Sequence, residues 1–185
     1  MAIDLETKLK LYMLIVNRYK NFVSQQEQRS ITEIRQRCSP YDDFIKKLND
    51  RLLLQVNLNP QNYDYNKHFM QVIHRVLEYS RSIKNFEFLI TFWMSHEEID
   101  ELKAAHPMDK SLLITALLRA SNSPNVHIAV TKSKRHYVLF EYNNEKYMIV
   151  PESGSLLVGE DVTKIFNSDP LSYTFNDLFF QSYEE

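Results

Sequence analysis

The stretch that decides the fold runs Ala105-His106-Pro107-Met108-Asp109-Lys110-Ser111-Leu112-Leu113 and continues through Leu117-Leu118-Arg119-Ala120. Pro107 suits a first helical position, because its fixed φ matches a helix and its missing N–H would be unpaired there anyway. From Leu112 to Leu118 the run is apolar nearly all round, the pattern of a helix enclosed by protein on all sides. The predicted helix spans about 107–121. Past Pro124 the pattern changes to strands: Val126–Thr131, Tyr137–Tyr142 and Lys146–Val150. Asn143-Asn144 between the last two fits a tight hairpin turn, since asparagine tolerates positive φ. Helices first and antiparallel strands later give an α+β fold, a buried helix packed on an antiparallel sheet.

Upstream the chain reads as helical. Leu5, Leu9, Tyr12, Val16, Tyr19 and Val23 recur at three- and four-residue steps, one face of a helix, and Leu11, Leu14, Ile15 and Phe22 widen it. The polar run Ser24–Ser30 marks a break. Ser39-Pro40, followed by Asp42 and Asp43, reads as the start of a second helix carrying Phe44, Ile45, Leu48, Leu52 and Leu53. A polar connector, 57–66, leads to a third helix near 67–81. Ser95 with Glu98 fits a capping box for a short helix from about His96 to Ala104. The division expected is an N-terminal helical extension over 1–60 and the main domain over 61–185, whose aromatic tail, Val162–Tyr183, adds another strand.

Composition excludes several functions. The 185 residues hold only two glycines, against about 13 at the usual ~7%, so a three-glycine dinucleotide-binding fingerprint cannot be present. Gly154 and Gly159 have P-loop spacing, but Glu160 and Asp161 follow where a lysine and a hydroxyl would be needed, and two carboxylates repel a triphosphate. Cys38 is the single cysteine, which rules out a disulfide framework or a cysteine-based zinc site within one chain. The six histidines, His68, His74, His96, His106, His127 and His136, form no i, i+4 helical pair and no H-E-x-x-H, so no metal and no other cofactor is expected. The net charge of −2 divides into +3 over residues 1–60 and −5 over 61–185, too mild an asymmetry for a nucleic-acid-binding arm. The N-terminus lacks signal-peptide organisation, and the longest apolar runs, such as Leu11–Val16, fall far short of the ~20 residues that span a bilayer. The expectation is a soluble cytoplasmic protein without a membrane segment.

Residues 93–151 together resemble the transglutaminase-like superfamily, which has the papain-like cysteine protease fold. The residues that carry the resemblance are Trp93-Met94-Ser95-His96-Glu97-Glu98, then His106-Pro107-Met108-Asp109 opening the helix that ends Leu117-Leu118-Arg119-Ala120, then His136-Tyr137-Val138-Leu139-Phe140-Glu141, then Ile149-Val150-Pro151. Family members show a Trp-x-x-Pro-Glu-Glu lead-in, a G-D-C-x-D motif opening a buried helix, a strand beginning His-Ala-Trp-Val-Glu and a strand ending Asp-Pro. The resemblance implies a papain-like core and places the catalytic triad at Pro107, His136 and Val150. Only the histidine survives. Pro107 has no nucleophilic atom and no N–H for an oxyanion, and Val150 cannot orient an imidazole. The expected chain is therefore not an enzyme but a degenerate member that binds a protein or peptide, with Trp93, His106, Asp109, His136 and Tyr137 as candidate cleft residues.

Other readings compete. Catalytic groups relocated around His136, using Asp109, His106 or Ser111, would give a hydrolase. The mildly basic N-terminal half, or the loop Lys132, Lys134 and Arg135, could touch nucleic acid. Cys38 precedes the Ser39-Pro40 helix start, where a dipole could activate a thiol, but it lies outside the family-like region. The first helix, which the resembled core does not need, can pack on its own domain or serve as a homodimer seam or a groove for a partner.

Overall fold

The computed structural model describes residues 4–87 and 92–183. It is α+β: helices pack on an antiparallel sheet. Helix α1 (Leu5–Gln26) starts at Asp4, whose carboxylate accepts the Thr7 N–H at 2.9 Å. Ser30 and Glu33 close a capping box at the head of α2 (Ile31–Gln36), so the expected break falls within the Ser24–Ser30 run. Helix α3 (Asp43–Gln55) starts later than Ser39-Pro40 suggests. The Asp42 carboxylate takes the N–H groups of Phe44 and Ile45 at 2.9 and 3.0 Å and so fixes the N-cap, while the Ser39 hydroxyl accepts only the Tyr41 N–H. A charged acceptor serving two free amides outweighs a hydroxyl serving one. Helix α4 (Tyr65–Ser82) follows a single 3-10 turn at Pro60–Asn62.

Two short strands, β1 (Lys84–Asn85) and β2 (Ala104–Ala105), pair in parallel around α5 (His96–Leu102), whose Ser95–Glu98 capping box forms as expected. Helix α6 (Pro107–Ala120) buries every residue from Asp109 to Leu118. The sheet that receives it contains β3 (His127–Thr131), β4 (His136–Tyr142), β5 (Glu145–Val150), β6 (Ser155–Val158), β7 (Leu171–Phe175) and β8 (Phe180–Ser182). Its order is β6-β5-β4-β3-β7-β8, with every neighbour antiparallel. Asn143 and Asn144 turn the β4–β5 hairpin at φ 51° and 64°. The aromatic tail is richer than one strand: α7 (Glu160–Ser168) precedes β7 and β8.

The pleat sends alternate side chains to opposite faces. On the α6 face, Val138, Phe140, Tyr142 and Ile149 join the core of α3, α4 and α6, with Phe69 edge-on to Phe140 at 5.6 Å. On the other face, Tyr137, Met148, Val150 and Ala129 pack beneath Val162 and Phe166 of α7. The boundary expected at residue 60 needs correction. Ile45, Leu48, Leu52 and Leu53 of α3 lie in the same core cluster as Leu113 and Leu117 of α6, so α3 belongs to the main domain. The longest helix, α1, contributes no buried side chain, and neither does the short α2. Among the described residues no helix is long and apolar enough to cross a membrane.

Candidate functional site

The site suggested by the motifs lies where α6 begins beside β4. His106 is the N-cap of α6, its Nδ1 accepting the Met108 N–H at 3.2 Å. Pro107 occupies the first helical turn, the position its chemistry suits. His136 opens β4 on the face that carries Val138, and its ring lies edge-on to that of His106, 6.3 Å between centroids. The structure therefore brings His106, Pro107 and His136 to one corner.

Two other candidates fall elsewhere, for a reason of parity. β4 and β5 pair Val138 with Ile149, so Ile149 shares the face of Val138 and, two residues before it, His136. Val150 lies one residue off and packs under α7, on the opposite face. Tyr137 also belongs to that face, buried, with its ring edge-on to Phe166 at 6.2 Å. Val150 cannot stand beside His136, and Tyr137 cannot line a cleft with it.

Asp109 and Trp93 form a separate cluster with a residue that the motifs did not mark. Arg37, on the turn after α2, donates from Nη1 to the Asp109 carboxylate at 3.2 Å and from Nη2 to the Met94 carbonyl. Its guanidinium lies 5.7 Å from the Trp93 ring centroid. His96 contacts the Arg37 carbonyl through Nε2 at 2.8 Å. Burial pushes the Asp109 carboxyl up to about 6 despite the attraction of Arg37. This cluster fastens the segment after α2, the head of α5 and the first turn of α6 to one another. Its partners are 72 residues apart in the chain for Arg37–Asp109, a separation at which no local pattern signals a pair.

Lys110 is the other residue that motif reasoning passed over. It is 1% exposed, and its Nζ donates to the Ile83 carbonyl at 3.0 Å and to Asn85 Oδ1 at 3.2 Å. Burial lowers its pKa, and the carboxylate of Glu152 opposes that shift. The signal was available: a lysine at the head of a nearly all-apolar helix must either reach solvent or find acceptors. Here it ties β1 to α6.

The electrostatics at the histidine corner favour neutral rings. Burial, and then the neighbouring His106, push His136 down to about 4. Burial lowers His106 as well, against the pull of Glu87 and Glu152. Among the described residues the His136 ring has no hydrogen-bonding carboxylate or hydroxyl. Asp109 is engaged by Arg37, and the Ser111 hydroxyl donates back to the Pro107 carbonyl at 2.8 Å. A general base of the triad type needs a partner that orients its ring and steadies its charged form, and this geometry supplies neither. Cys38 is fully buried, and desolvation raises its pKa far above the ordinary thiol value, which leaves a packed thiol rather than a nucleophile. No group of three or more His, Cys, Asp or Glu converges as a metal site among the described residues. In the basic loop, Asp169 accepts Ser133 N–H and Oγ–H at 3.1 and 2.7 Å and pairs with Arg135 at 3.4 Å, so the loop is docked on the start of β7.

A different surface stands out by its exposure. Ten large apolar side chains of α1, from Leu5 to Phe22, are each more than a third exposed. An apolar surface of this extent on one element is the usual mark of an interaction site. In comparisons with known proteins the chain matches no family model, and no curated protein or solved structure is significantly similar to it.

Proposed function

We propose that this protein is a non-catalytic binding module, a degenerate transglutaminase-like domain that associates with protein through α1. The observation that carries the reading is α1 itself: 22 residues of helix without one buried side chain. An isolated helix of this length is marginal in water, and most helical stability in proteins comes from packing an apolar face. A chain that keeps such a face uncovered on its own domain needs a partner to cover it.

The non-catalytic half of the reading is supported by Pro107 at the head of α6, by the absence, among the described residues, of a carboxylate hydrogen-bonded to His136 and by the buried, protonated Cys38. The test has two arms. Amide hydrolysis and transamidation are measured for the chain and for His136→Ala, with no turnover expected from either; turnover that disappears in the variant overturns the non-catalytic assignment. Association is measured for the chain and for Leu9→Asp/Val16→Asp, with loss expected in the variant. Association indifferent to these substitutions overturns the role of α1.

A further inference from the structure

We infer that the partner of α1 is a second copy of this chain, paired antiparallel along α1. The inference rests on α1 as the docking element and adds the occupant and its orientation. Leu5, Leu9, Tyr12, Val16, Tyr19 and Val23 alternate in four- and three-residue steps over three heptads, the spacing of a two-helix seam. In heptad terms Leu9, Val16 and Val23 take the a positions, and Leu5, Tyr12 and Tyr19 take d. An antiparallel pair stacks a against d of its neighbour. Centred on residue 14, the layers are Leu5 with Val23, Leu9 with Tyr19 and Tyr12 with Val16, each repeated by the two-fold axis. Both tyrosines then meet an aliphatic side chain. A parallel pair in register instead sets Tyr12 on Tyr12 and Tyr19 on Tyr19.

The flanking positions choose the same arrangement. The antiparallel register places Glu6, the only acid of the helix, beside Lys20 of the second copy, and symmetry repeats the pair at the other end. In one copy Glu6 already holds Lys10 at 2.7 Å, but both side chains are largely exposed, so a carboxylate oxygen remains for a second cation. Lys8 falls beside Phe22, where its stem covers the ring and its ammonium can sit over the ring face. Met13 meets Met13 and Ile15 meets Ile15 across the axis, which explains why the apolar face is wider than a bare seam. A parallel pair sets Lys8 against Met13 and Lys20 against Ile15, with no opposite charges in reach. It also aligns the two helix dipoles, whereas the antiparallel pair opposes them. The contact is isologous, so it closes at two copies instead of growing into a filament.

The decisive experiment is sedimentation equilibrium of the full chain across the micromolar range, with variants at the seam and its flanks. A dimer is expected. Glu6→Lys and Lys20→Glu should each raise the dimer Kd roughly tenfold, because the pair occurs twice and becomes a repulsion. Glu6→Lys/Lys20→Glu in one chain should restore it. A double variant no tighter than the single ones overturns the antiparallel register. Met13→Cys should oxidise to an interchain disulfide while Leu5→Cys does not, and the reverse outcome assigns a parallel pair and overturns the proposal. A chain monomeric at high micromolar concentration overturns self-pairing but leaves α1 open to another protein; so does one whose α1 binds anionic vesicles instead. A dimer whose affinity is unchanged by Val16→Asp overturns self-pairing through α1 while the docking role keeps its own test, loss of association in Leu9→Asp/Val16→Asp, so the two readings fail separately.

Discussion

Helices α1 and α6 are both rich in large apolar residues, yet one buries none of its side chains and the other buries ten in a row, Asp109 to Leu118. The difference is in how the apolar residues are arranged. Along α6 they cover the whole circumference, so sheet, α3 and α4 can all press on it. Three of the polar side chains within that stretch find partners inside the protein, Lys110 in Ile83 and Asn85, Asp109 in Arg37 and Ser111 in Pro107, while the buried Thr115 hydroxyl has none among the described residues. Along α1 the apolar residues leave a polar face with Lys10, Asn17 and Asn21. The first pattern describes a helix completed by its own chain, and the second a helix whose apolar face its own chain leaves uncovered. Substitutions in α6 should therefore act on folding, and substitutions in α1 on association.

The largest effect is expected where α6 holds its buried ion pair. Asp109→Ala leaves Arg37 partly buried without its carboxylate, and removing one partner of such a pair costs about 3–5 kcal/mol. Urea denaturation should report this as a lowered midpoint with an unchanged slope. A loss below about 1 kcal/mol would mean that the cluster does not fasten α6. Leu113→Ala, at a fully buried position, should cost about 2–5 kcal/mol from lost transfer energy and the cavity left behind.

A smaller effect separates the histidines from the carboxylate. Burial holds His96 and His136 at about 4 in the folded chain, against about 6.5 when unfolded. Each contributes stability that is present above about pH 6.5 and is lost as pH falls toward 4. Asp109 has the opposite sign. Its folded value of about 6 lies above the unfolded one near 3.9, so its contribution is present below about pH 4 and is lost as pH rises through 6. Two histidines outweigh one carboxylate, and the melting temperature should fall between pH 7 and pH 5. His136→Gln should flatten that slope, and an unchanged slope would show that this ring is not held neutral by the fold.

What could be read from the chain, and what could not, divides along the same comparison. The all-round apolar run of α6, the Ser95–Glu98 box and the Asn143-Asn144 turn are local patterns, and each forms at its expected place. Helix α7 begins at Gly159 with no side-chain cap, so the usual start signal is missing and the segment reads as part of a strand-like tail. The fit of His136 and Val150 to a shared motif fails by one residue of register, which in a sheet is a change of face. The pairs Arg37–Asp109 and Lys110–Ile83 are 72 and 27 residues apart, and only the folded chain brings them together.

The smallest effect on folding is expected in α1, and that smallness is informative. Val16 is exposed on its own chain, and surface substitutions usually change stability by no more than about 0.5 kcal/mol. In dilute solution Val16→Asp should melt with the parent. The proposed pairing would add a concentration-dependent difference, because a partner that binds only the folded state stabilises it by mass action. The parent's melting temperature should rise with protein concentration while that of Val16→Asp stays level, so the two curves part only where pairs form. If Val16→Asp melted well below the parent at the lowest concentration, α1 would belong to the fold of its own chain, and its contrast with α6 would collapse.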